Sequence, residues 1–120
     1  MRIQVNSRRG HFNFANPSEE SVSTAITIFE GEKALKSCSI STRDEVDSND
    51  PDDLKLEIEE WLSRILYSSS MAKAKETAKF LDENADELRK GNKEFELEQL
   101  RKQREEIDKK IAKLETEIRD

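Results

Sequence analysis

The chain has 120 residues and a net charge of −6, with 33% of residues hydrophobic and 40% charged. That length holds one small domain plus an extension, and the composition leaves only a modest core. No run approaches the ~20 apolar residues of a membrane span and no signal-type apolar stretch follows Met1, so the expectation is a soluble protein of the cytoplasm. The apolar residues are periodic rather than scattered, which separates this chain from disordered sequences of similar charge.

Residues 1–5 alternate apolar and polar through Met1, Ile3 and Val5, and residues 11–14 alternate again through Phe12 and Phe14. With Ser7, Arg8, Arg9 and Gly10 between them, the pattern predicts a β-hairpin. Residues 22–29 are β-rich and carry Ile26, Ile28 and Phe29 on both faces, as a central strand would. Glu30, Gly31, Glu32 and Lys33 then turn the chain into a fourth strand over 35–41, with Cys38 and Ile40 on one face.

Asp50 followed by Pro51, Asp52 and Asp53 is a helix start: an N-cap residue, proline at the first helical position, and acids against the positive end of the dipole. The helix is expected to run to about Tyr67. Leu54, Ile58, Trp61, Leu62, Ile65 and Leu66 form its apolar stripe, and Asp53, Glu57, Glu60 and Arg64 face water. The expected fold is therefore α+β: a four-stranded antiparallel sheet covered by one helix, forming a head over residues 1–67.

Residues 68–120 read as a helical oligomerisation region. Ser68, Ser69 and Ser70 break the first helix, and Ala74, Ala78, Leu81, Ala85 and Leu88 then recur at heptad spacing. A second seam follows in Leu97, Leu100, Arg104, Ile107, Ile111, Leu114 and Ile118. The two seams are offset by five residues, ~150° around one straight helix, and Gly91 and Asn92 stand at the join. This predicts a break or a helical hairpin there.

In the second seam Leu97, Arg104, Ile111 and Ile118 occupy a, and Leu100, Ile107 and Leu114 occupy d. β-Branched residues at a with leucine at most d positions favour a parallel two-stranded coiled coil. Its flanking pairs are Glu96 with the partner's Arg101, Gln103 with the partner's Asp108, and Lys110 with the partner's Glu115; two attract and none repels. Arg104 is discordant, because a guanidinium in the seam must snorkel.

The acidity is concentrated. Residues 44–60 contain nine acids against Lys55 alone, a local charge of −8. Asp52, Asp53, Glu57 and Glu60 are the candidate contacts to a basic partner protein. Chemistry is poorly represented: His11 and Cys38 are each the only residue of their type, and residues 47–58 lack the glycine and terminal glutamate of a calcium loop. No catalytic, cofactor or metal motif is present. The expectation is a non-enzymatic interaction protein, dimerised by its C-terminal helix and recognising a protein through its head. Two alternatives are a small acidic inhibitor or nucleic-acid mimic filling a cationic groove, and a nucleic-acid-binding protein using Arg8 and Arg9.

Overall fold

Strand periodicity sets which side chains share a face: Ile3, Val5 and Ser7 on the first strand, Val22, Thr24, Ile26 and Ile28 on the second, and Cys38, Ile40 and Thr42 on the third. In the structure, a computed structural model that describes residues 1–10 and 21–119, these lie on β1 (Arg2–Gly10), β2 (Ser21–Glu30) and β3 (Lys33–Thr42). The strands form one antiparallel sheet in the order β1-β2-β3, with Ile3 opposite Ile28 and Ile26 opposite Cys38. Gly31 turns β2 into β3 at a φ of 62°, as a two-residue turn with glycine first requires.

The expected turn at Ser7, Arg8, Arg9 and Gly10 is instead the second half of β1, paired with Thr24, Ser23, Val22 and Ser21. Alternation persists through Ser7, and nine paired residues outweigh the local turn preference of one glycine. The strand expected over 11–14 lies outside the described residues, so three strands are described rather than four.

Ser7 continues the inward pattern because its hydroxyl has buried partners. Val46 N–H donates to Ser7 Oγ (2.9 Å), Ser7 Oγ and Thr24 Oγ1 are 2.8 Å apart, Thr24 Oγ1 and Thr42 Oγ1 are 3.0 Å apart, and Thr42 donates to Asp44 O (2.8 Å). Each hydroxyl has one proton, and Thr42 spends its own on Asp44. Thr24 therefore donates to Thr42, and Ser7 to Thr24. This run of bonds fastens residues 44–46 to the end of the sheet, and among the described residues no buried side-chain polar atom is left without a partner.

Helix α1 (Pro51–Arg64) begins as expected, with Asp50 Oδ2 accepting from the amides of Asp52 and Asp53 (3.1 and 3.4 Å). It ends three residues earlier than expected. Ile65 is already extended, so Leu66 leaves the apolar stripe and Leu66 and Tyr67 stand 90% and 97% exposed. Leu54, Ile58 and Trp61 are buried against the sheet's inner residues, with Leu62 and Ile65 packed at the margin.

The sheet is not covered by one helix alone. Helix α2 (Met71–Glu83) packs on β3 and α1, and α3 (Ala85–Arg119) crosses β1. Ala74, Ala78, Leu81 and Leu88 join the same core as Ile26, Ile40 and Ile58, so the first helical seam is spent on the head. Its small residues let α2 approach closely. Ser70 occupies the N-cap position of α2 without a side-chain capping bond.

The break between the helices lies at Asn84, and α3 runs unbroken through Gly91 and Asn92. The Asn84 side-chain amide and backbone N–H both donate to Phe80 O (3.0 Å each), closing one helix before the next begins. Gly91 and Asn92 instead serve the contact with β1. A Cβ built on Gly91 would lie 1.5 Å from the Met1 carbonyl oxygen, Asn92 Oδ1 accepts from Ile3 N–H (2.7 Å), and Asn92 Nδ2 donates to Asn49 O (2.9 Å). One turn further on, the Arg2 guanidinium lies 4.1 Å from the Phe95 ring centroid and 4.6 Å from that of Phe29.

The radius of gyration is 19.3 Å, against about 14 Å for a compact chain of this length. The difference is α3, whose 35 residues reach roughly 50 Å and account for much of the 68 Å long axis.

Candidate interaction surfaces

Three surfaces carry the residues singled out from the sequence. The first is the outward stripe of α3. Leu88, Gly91, Asn92 and Phe95 face the head, whereas Leu97, Leu100, Ile107, Ile111, Leu114 and Ile118 are all about half exposed or more. At 100° per residue the stripe lies about 140° around the helix from the face that meets the head. Residues 101–119 are all exposed, so among the described residues this part of the stripe covers nothing. Arg104 sits in it, exposed like its neighbours.

The second surface is a groove between residues 43–48 and α1. Asp53, Glu57 and Glu60 line one wall and Asp44, Glu45 and Asp47 the other, with Arg43 and Arg64 also lining it. Leu56, 63% exposed, lies among them and was not singled out by periodicity, since it falls off the buried stripe of α1. An apolar residue on an otherwise charged helix face was the available signal. Ser48 Oγ donates to Asp53 Oδ2 (2.8 Å), which fixes one carboxylate at the groove's edge.

Asp52, expected with that set, turns away from it. It pairs with Arg89 of α3, which also donates through Nε to Asp50 Oδ1 (3.0 Å) and through Nη1 to Asp86 Oδ1 (3.3 Å). Arg89 thus ties the start of α1 to α3, a role with no signal in the local sequence. Its hydrogen bond holds the Asp50 carboxyl below its ordinary range, a shift larger than the opposing effect of desolvation and reinforced by the amides of Asp53 and Asp52. A carboxyl with a lowered folded-state pKa stabilises the fold above its unfolded value of about 3.9, and that contribution is lost as pH falls through the folded value. Asp50→Asn should therefore lower the urea midpoint at pH 7. The gap to the parent should narrow as pH falls below about 4, and an unchanged gap at low pH would assign the loss to shape alone.

The third surface was to be a basic turn. Strand alternation sends Arg8 and Arg9 to opposite faces of the sheet, and Arg9 Nε lies 3.8 Å from Glu45 Oε1. The two cations therefore do not form one patch. His11 lies outside the described residues. Among the described residues no three His, Cys, Asp or Glu side chains gather as a metal site requires, and no helix is long and apolar enough to cross a membrane. Cys38 is buried, which pushes its thiol pKa up.

Comparison with known proteins adds no relative from which a role transfers: no protein-family model, no curated protein and no solved structure matches the chain.

Proposed function

We propose that this protein is a non-enzymatic interaction module that self-associates through the outward stripe of α3 and uses its head to recognise a second, basic protein. The observation that supports this most is six large aliphatic side chains, on one side of a helix, that stand half exposed or more with no cover from the described residues of their own chain. Burying each is worth roughly 1.5–3 kcal/mol, far more than the exposed ion pairs of the same helix. The acidic groove supports the second half: six carboxylates around the exposed Leu56 suit a cationic segment that also carries an apolar residue.

Ile111→Asp combined with Leu114→Asp should convert a dimer into a monomer in sedimentation experiments while the head still unfolds at its parental temperature. A parent protein already monomeric at tens of micromolar would sink the self-association half. Asp53→Lys, Glu57→Lys and Glu60→Lys together should leave the dimer intact and remove salt-sensitive binding to a lysine-rich helical peptide. Binding that survives the reversal would remove the groove from the proposal.

A further inference from the structure

The absence of a break at Gly91 and Asn92 changes what the stripe can pair with. Because α3 is one helix from Ala85 to Arg119, the heptad continues upstream of Leu97 with Lys93 at d and Lys90 at a, both exposed. A parallel, in-register pair would set Lys93 against the partner's Lys93 and Arg104 against the partner's Arg104. In that arrangement the partner residue flanking Arg104 is Gln103, which is neutral. Two cationic layers would then face themselves within a seam of about three heptads.

An antiparallel pair centred between Arg104 and Ile107 has neither fault. Leu97 meets the partner's Leu114, Leu100 meets the partner's Ile111, and the aliphatic stem of Arg104 lies on the partner's Ile107. Positions a lie on the e side of each helix, and antiparallel packing brings e against e. Arg104 consequently reaches the partner's Asp108 at nearly the same level. By symmetry two arginines and two aspartates neutralise one another at the centre. Glu96 faces the partner's Lys110 and Arg101 faces the partner's Glu115, so the flanks hold as many attractive pairs as the parallel form. Lys93 offers its stem to the partner's Ile118.

We infer that the occupant of the α3 stripe is a second copy of this chain lying antiparallel, with Arg104 and Asp108 of the two copies forming a four-charge cluster on the symmetry axis. This rests on the self-association proposed above, and it departs from the parallel arrangement that the identities at a and d favour on their own. Ten acids balance ten bases in α3, so the acidity resides mainly in the heads, which this arrangement holds at opposite ends of the shared helix pair.

A nitroxide on Glu117→Cys, in the Cys38→Ala background, separates the outcomes. Antiparallel pairing places the labels 23 residues apart along the axis, a distance of about 35 Å, whereas parallel pairing holds them within about 20 Å. The longer distance is the expected result, and the shorter would overturn the antiparallel assignment while leaving the dimer standing. No dipolar coupling, together with monomeric sedimentation, would overturn both. The exposed change Asp108→Lys supplies a second reading without touching the core. It should weaken dimerisation at least tenfold if Arg104 faces it across the axis, and an effect below about threefold would count against the cluster.

Discussion

Leu88→Ala should cost about 2–5 kcal/mol of stability, whereas Leu100→Ala, twelve residues along the same helix, should cost the isolated head almost nothing. The side chains are identical and the surroundings are not: Leu88 is fully buried in the core formed with Leu81, Ala78 and the sheet, and Leu100 is 55% exposed beyond the last contact with the head. Removing Leu88 leaves a cavity between helix and sheet, which the packed neighbours fill only in part. Thermal unfolding of the two variants at a concentration low enough to keep the chain monomeric gives the comparison. The α3 contact with the head would be ornamental if Leu88→Ala unfolded at the parental temperature. The head would extend further along α3 than described if Leu100→Ala fell equally far.

Gly91→Ala is expected to destabilise, although alanine at a helix position ordinarily gains about 1 kcal/mol over glycine. The new Cβ would fall 1.5 Å from the Met1 carbonyl oxygen, a backbone atom held by the neighbouring bond from Ile3 N–H to Asn92 Oδ1. Relief requires β1 to move off α3, which forfeits that bond and the placement of Arg2 between Phe29 and Phe95. Overpacking of this kind typically costs about 1–3 kcal/mol, enough to reverse the gain in helix propensity. Asn92→Ala should cost about 1–3 kcal/mol by a different route, since it leaves Ile3 N–H and Asn49 O without their partner. The two losses should not add in the double variant, because both report separation of β1 from α3. A stabilised Gly91→Ala protein, by chemical denaturation, would mean that the close approach does not hold in solution.

What was legible from sequence follows the range of the forces involved. Asp50 and Pro51 announced α1 because capping is local, and Leu54, Ile58 and Trp61 announced its buried face because helical period is local too. The α3 stripe was readable for the same reason. The end of α1 was misjudged because Leu66 fits the period, and only the extended backbone at Ile65 removes it. Ser7, Arg8, Arg9 and Gly10 read as a turn, since the pairing that makes them a strand comes from β2, fourteen or so residues away. The same limit applied more strongly to Gly91 and Asn92, which carry the local signature of a helix end. Their purpose depends on Met1 and Ile3, about ninety positions earlier, and no local pattern records that distance. Arg89 was silent for the same reason, and it took Asp52 from the groove to which its charge alone had assigned it.

The contact of β1 with α3 also fixes the root of a long arm. The last residue of α3 that is partly covered is Gln99, and from there to Arg119 the helix extends about 30 Å with no support from the described residues of its own chain. A rotation of about 10° at Gly91 and Asn92 would swing the tip by about 7 Å, a displacement as large as a side chain at Ile118. The direction of that tip with respect to the acidic groove is set at the other end of the arm, where Leu88, Arg89, Gly91 and Asn92 meet the head.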